Sequence, residues 1–283
     1  MNGSIAKALA AVIALALAGP AAAGTLKDCD RVARTGDGAA AIQCLQPLAE
    51  AGDGRAEGQL GFQYGVVNAP TYDPEKSAFW TKKAAEHGDI EAQVMVAGMY
   101  RQGQGAPKDL VEALRWYRVA ADRGDQNAQL EVGRMYYKGW GTPKDVAQAI
   151  IWCRKAAERG GPTAMLAEAS IASFYLNGDG VLRDDVEAAR WFRRAAKHGS
   201  PSAHISLAQL DEKGLGVRAD PFEAYVGYSI GLAWLQNQRG PGAGARLDDA
   251  MGRIAERRAI VAAQLTDSKK AKADRLVSQF KGH

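Results

Sequence analysis

The sequence predicts an all-α fold, a right-handed α-solenoid of stacked helix pairs closed by a C-terminal helical cap. Three observations carry this expectation. Tryptophans fall at 80, 116, 152 and 191, spaced 36, 36 and 39 residues apart. Glycines repeat in the same steps, at 88, 124, 160 and 199 and again at 103, 139, 178 and 214. Whole strings recur as well: DLVEALRWYRVAADRG at 109, DVAQAIIWCRKAAERG at 145 and DDVEAARWFRRAAKHG at 184. A repeat of this length is one supersecondary unit that cannot cover its apolar face alone, so neighbouring units must stack.

The composition agrees. Of 283 residues, 47% are hydrophobic and 24% charged, which is ordinary for a globular chain. The net charge of +4 is too small to argue for nucleic acid or an anionic membrane as partner. With 32 glycines against 10 prolines, the chain favours short helices with Gly-marked ends over a β-sandwich.

Taken in order, residues 1–23 read as a secretory signal peptide. Lys7 is followed by the apolar run ALAAVIALALA at 8–18 and by small residues at Ala21, Ala22 and Ala23. That run is too short to span a bilayer. Cleavage near Ala23 would place the mature chain in the periplasm or outside the cell, with no transmembrane segment. Residues 24–52 form an N-terminal half-repeat. Stepping back 36 from Asp73, Trp80 and Gly88 gives Asp37, Cys44 and Gly52, so Cys44 occupies the Trp slot. Cys29, on the stump of a partner helix, is placed to form a disulfide with it. In an exported chain an odd third cysteine is either a core residue or a reactive thiol; Cys153, at the position of Tyr117 and Phe192, reads as core.

Residues 53–238 form five repeats of two helices each. The first helix carries Ala at 56, 92, 128, 167 and 203. Leu60, Val96, Val132, Ile171 or Leu207 follows, then a small residue (Gly61, Ala97, Gly133, Ala172, Ala208), then Tyr64, Tyr100, Tyr136, Tyr175 or Asp211. Such a stripe buries one face of a helix. The second helix starts at Asp73, Asp109, Asp145, Asp184 and Asp220, which are N-caps. Glu112, Gln148, Glu187 and Glu223 stand where a reciprocal capping box requires them. The fourth repeat is longer by three residues, which extends its first helix by nearly a turn at the N-terminal end. Residues 239–283 are a C-terminal helical cap of two helices, 245–265 and 268–280, with Ile254, Ile260, Val261, Leu265, Leu276, Val277 and Phe280 facing the last pair. Ten Lys/Arg and five Asp/Glu in this cap read as a solvated surface.

The units resemble Sel1-like repeats, the 36-residue relatives of tetratricopeptide repeats. The matching residues are the Ala-Gln start (Ala92-Gln93, Ala128-Gln129), the Tyr before a GxG loop, the capping Asp, the aromatic pair (Trp116-Tyr117, Trp191-Phe192) and the Ala-Ala-x-x-Gly close. The likeness extends over roughly residues 37–235. It implies a scaffold that holds a protein or peptide partner on its concave face, in exported members often with a regulatory or envelope role. Cysteine-rich relatives have been associated with β-lactams, so an enzyme or binder acting on cell-wall material is the alternative. Those relatives carry a Cys pair in each unit, which this sequence lacks.

Motifs for chemistry do not accumulate. S-x-x-K occurs as Ser4 to Lys7 in the leader and as Ser278 to Lys281, G-x-S-x-G occurs once, at 227–231 within the helix that starts at Asp220 and not at a strand-to-helix turn, and K-T-G, H-E-x-x-H and C-x-x-C do not occur. The GxG strings recur in the loop between the two helices of four of the five repeats without a strand before them, as turn geometry requires and a phosphate cradle does not. No two histidines have the spacing of a zinc site. The expectation is a monomeric non-enzyme without metal or cofactor and without affinity for nucleic acid. The candidate partner-binding residues break the repeat toward large exposed groups: Trp140 between two loop glycines and Tyr137 beside it, with Arg101 and Lys138 completing the set. Aromatic side chains with a polar atom are favoured interface anchors.

Overall fold

A computed structural model describes residues 25–238 and 245–280. The leader, the Gly240-Pro241-Gly242 break and His283 lie outside the described residues. Fourteen helices, and no strand, occur among the described residues. They are α1 (Leu26–Ala33), α2 (Gly38–Glu50), α3 (Gly54–Gly65), α4 (Pro74–Glu86), α5 (Ile90–Gln102), α6 (Leu110–Asp122) and α7 (Gln126–Lys138). After these come α8 (Val146–Ala157), α9 (Gly161–Asn177), α10 (Asp185–Lys197), α11 (Pro201–Lys213), α12 (Pro221–Asn237), α13 (Ala245–Ala262) and α14 (Asp267–Gln279). The chain divides into two compact units, one through Trp116 and the other from Tyr117.

In the first unit each helix of α1 to α5 packs on the next. Its core joins Cys29, Leu45, Ala49, Ala56 and Leu60, all without exposed surface. In the second unit α7 to α13 pack consecutively, α9 also touches α7 and α8, and α14 closes on α12. The core there runs from Leu130 through Ile171 and Trp191 to Leu210, and a second cluster around Tyr228 and Val261 seats α13.

The repeat chemistry explains the local geometry. Asp73, Asp109, Asp145, Asp184 and Asp220 each accept an N–H from the first turn of the following helix. The reciprocal half of the capping box is not made, because the cap N–H is already engaged. It donates to the carbonyl of Tyr64, Tyr100, Tyr136, Tyr175 or Asp211 at 2.8–3.0 Å, pinning the loop to the preceding helix. The freed N3 carboxylates turn outward, Glu112 to Arg115 and Glu187 to Arg190 and to the indole N–H of Trp191 at 3.0 Å. The recurring Tyr side chains are only half-buried, as is Trp80, whereas Trp116, Trp152 and Trp191 are buried.

Two loop glycines show why this position excludes a side chain. A Cβ on Gly180 would lie 2.5 Å from Val146 Cγ2, and on Gly216 2.2 Å from the Asp185 backbone; both have φ near +70°, where only glycine is unstrained. The longer repeat extends its first helix at the N-terminal end: α9 has 17 residues where α5, α7 and α11 have 13. In the cap, α13 ends at Ala262, short of the expected 265, and Thr266 caps α14. Val261 and Leu265 are buried, but Ile260 and Leu276 are exposed, and α14 meets α12 through Ala273 and Asp274.

Candidate functional site

The sequence-derived residues 137, 138 and 140 lie in the second unit at the end of α7 and in the turn after it. Gly139 adopts the left-handed conformation and donates its N–H to Met135 O, which ends the helix and projects Trp140 from the turn. Trp140 is 38% exposed. Lys138 is exposed, with Nζ 5.0 Å from the Tyr137 ring centroid.

Tyr137 is engaged internally. Its ring stacks on Phe174 of α9 at 4.7 Å between centroids, and Lys144 Nζ lies 5.0 Å above it. The phenol shares Asp179 with Lys144, whose Nζ is 2.7 Å from Oδ1. These bonds hold the Asp179 carboxyl below its usual range, Lys144 first and Tyr137 next, and raise Lys144 and Tyr137 above theirs. Tyr137 thus ties the α7–α8 turn to the α9–α10 turn. Beside this tie opens a cleft of about 620 Å3, lined by Tyr136, Pro143, Lys144, Val146 and Asp179. Arg101 stands apart in the first unit, half-buried near the C-terminal end of α5.

Cys29 and Cys44 form a disulfide with Cα atoms 5.4 Å apart, within the ordinary span for such a bond. Cys153 is a buried free thiol, and burial pushes it up to about 12. A thiol so protonated is a poor nucleophile. Among the described residues no group of three His, Cys, Asp or Glu is arranged to hold a metal ion, and no helix is long and apolar enough to cross a membrane.

Sequence reading missed the glutamates Glu57 and Glu168, both fully buried. Their slot is held by Gln93 and Gln129 in sister repeats, and the signal was present as the histidines His87 and His198, which occur only where that slot is Glu.

The Sel1 repeat family model matches residues 55–89, 90–125, 126–161, 165–200 and 201–226, more than half of the chain. Comparison with curated proteins finds no match. Among solved structures, the chain is similar to a protective antigen of uropathogenic Escherichia coli displaying an SLR fold. The two are 26% identical with a TM-score of 0.64 over 83% of this chain, which spans 56% of the antigen's length. It is also similar to a Sel1 repeat protein from Oxalobacter formigenes, 23% identical with a TM-score of 0.67 over 90% of this chain and 99% of that one, a likeness of fold. By its five matched repeats and its paired-helix architecture, the chain belongs to the Sel1-repeat proteins.

Proposed function

We propose that the protein is a non-catalytic scaffold that holds a protein or peptide segment, acting as an adaptor or regulator of an envelope process. The carrying observation is Trp140: a large aromatic exposed on a rigid turn, where sister loops place Gln104, Asp179 and Leu215. Exposed aromatics that break a repeat are candidate anchors, since a rigid ring buries large area at small entropic loss. In this reading Lys138 flanks the anchor, Tyr137 positions the turn that presents it, and Arg101 serves a separate contact in the first unit. Export to the periplasm or beyond is supported by the leader-like residues 1–23 and by the Cys29–Cys44 disulfide, which persists in oxidising compartments.

The test uses the chain from residue 24. A partner isolated from an envelope extract is identified, purified and titrated against the wild type, Trp140→Ala and Tyr137→Phe. Saturable binding weakened about tenfold or more by Trp140→Ala, the scale of an interface hot spot, with a smaller loss for Tyr137→Phe, which loosens the turn but keeps the anchor, supports the reading. A titration indifferent to Trp140 overturns the anchor, and turnover of a chromogenic β-lactam or of muropeptides overturns the non-catalytic assignment.

A further inference from the structure

In the first unit, one face of α4 is left open. Glu75, Ala78, Phe79 and Lys82 stand along it and wall a groove of about 360 Å3, closed on the other side by Met99 of α5 and Pro107 of the following loop. Gly105 seats that loop on α4, since a Cβ added there would lie 3.1 Å from Ala78 Cβ. Phe79 is 60% exposed, in the slot that sister helices fill with Arg115, Ile151 and Arg190.

The charges of this face stand at its two ends. Glu75 lies in the first turn of α4 and Lys82 two turns on, about 10 Å away at 1.5 Å per residue. Both are exposed, and neither has an ion-pair partner among the described residues, whereas Lys76 is paired with Asp73 and Lys83 with Glu57. Sister helices keep the cation, as Arg118, Arg154 and Arg193, but carry Val111, Ala147 and Val186 in the slot of the acid.

A face that reads acid, small, aromatic, base is complementary to its own reverse. Two copies of α4 laid antiparallel about a two-fold axis between Ala78 and Phe79 set Glu75 of each against Lys82 of the other. The same axis sets each Phe79 against the other copy's Ala78, whose small side chain leaves the groove open to the ring. A parallel pair would oppose like charges at both ends, which costs several kcal/mol.

We propose that the protein self-associates through α4 as a two-fold dimer, with the Phe79 ring of each copy seated in the groove of the other between two Glu75–Lys82 pairs. Such a contact is isologous and closes on itself, in place of the monomer that the sequence leads one to expect. Two helical turns a side fall below the standard interface size, so the dimer is weak and dissociates on dilution. It lies within the first unit and does not depend on the partner site at Trp140.

Sedimentation velocity of the chain from residue 24, over micromolar to high-micromolar loading, tests this. Expected are a monomer–dimer equilibrium for the wild type and a dissociation constant raised about tenfold or more by Phe79→Ala, at a position outside the core. Glu75→Lys and Lys82→Glu, each alone, should weaken the dimer at least as much. Association should return in Glu75→Lys/Lys82→Glu and in an equimolar mixture of the two single variants, because both restore opposite charges at each end. Recovery requires folded chains, so it separates a broken contact from a broken helix. A wild type that stays monomeric at every concentration overturns the proposal and leaves this face to a different protein. A dimer that the variants leave unchanged, or one that neither the double variant nor the mixture restores, overturns it as well.

Discussion

His198 Nδ1 lies 2.8 Å from Oε2 of Glu168, a side chain with no exposed surface, and Arg194 Nε donates to Oε1 at 3.0 Å. Glu57 is held the same way, by His87 at 2.7 Å and Lys83 at 3.1 Å. Where this slot is Gln93 or Gln129, the amide instead donates to the carbonyl eight residues back, Ala85 or Ala121, at 3.2 and 3.1 Å. Gln adds a second donor to a carbonyl at the end of the previous helix, which also accepts the N–H of Gly88 or Gly124, while Glu has no proton to donate and must recruit donors from its own second helix.

The two glutamates should therefore differ in their tolerance of Gln. For Glu57 the carbonyl eight back is Ala49, in the same register as Ala85. For Glu168 it is Gly160, already taken by Gln126 Nε2 at 3.0 Å because α9 begins a turn early. Glu168→Gln should cost about 1–3 kcal/mol through stranded polar groups, and Glu57→Gln about 1 kcal/mol or less. Urea unfolding of both variants checks this, and equal losses would sink the register account.

Gly133 packs against Cys153 so closely that an added Cβ would sit 2.7 Å from Sγ and 3.2 Å from Ala149 O. Gly61 stands in the same relation to Thr81, whereas the repeats with Ala172 and Ala208 in this slot place Phe192 and Tyr228 twenty residues on. Gly133→Ala should destabilise by about 1–3 kcal/mol, the range for overpacking, and adding Cys153→Ala should recover part of that loss. Native Cys153, buried and raised to about 12, should resist maleimide at pH 8 and react only after denaturation. Rapid labelling of the folded chain would refute its placement in the core.

The repeat was legible because each of its rules is local: an Asp cap, a left-handed glycine and a stripe at helical spacing all read directly from sequence. The partners of polar side chains were not, since they depend on which donors a neighbouring helix presents. The capping box failed for that reason, its N–H being claimed by a tyrosine carbonyl nine residues earlier. Glu57 and Glu168 were passed over because a charged residue in a helix ordinarily faces water. The site was legible as a deviation, Trp140 and Tyr137 against their sisters, but the sequence did not show that Tyr137 is tied to Phe174 and Asp179 while Trp140 remains exposed.

The Cys29–Cys44 disulfide closes the start of the first unit over a separation of 15 residues. α1 has eight residues, too few to persist alone in water. Besides the disulfide it is held by Leu26 on the apolar cluster and by Asp30, which accepts from Gln59. Cys29→Ser/Cys44→Ser should cost roughly 3 kcal/mol by chain entropy. Hydrogen exchange should quicken first in the α1 and α2 amides and leave α9 to α12 unchanged. Unaltered protection of α1 would show that its apolar contacts suffice.

Asp211 occupies the slot of the recurring tyrosine, half-buried near Asp220 and Glu223, with Arg193 as the opposing charge. Burial, reinforced by the two carboxylates and only partly offset by Arg193, pushes its carboxyl up to about 6 from 3.8. The folded state then binds this proton more tightly than the unfolded chain, so the contribution to stability is full below about pH 4 and is lost as pH rises toward 6. Asp211→Asn removes the ionisation but leaves the backbone carbonyl that accepts the Asp220 N–H at 2.9 Å. The variant should be more stable than the wild type at pH 7.5, by about 1 kcal/mol once solvent screening of a half-exposed group is allowed for, and equal to it at pH 4. Urea unfolding at the two pH values decides the matter: a gain as large at pH 4 as at pH 7.5 would mean that packing, not charge, sets the strain at this slot.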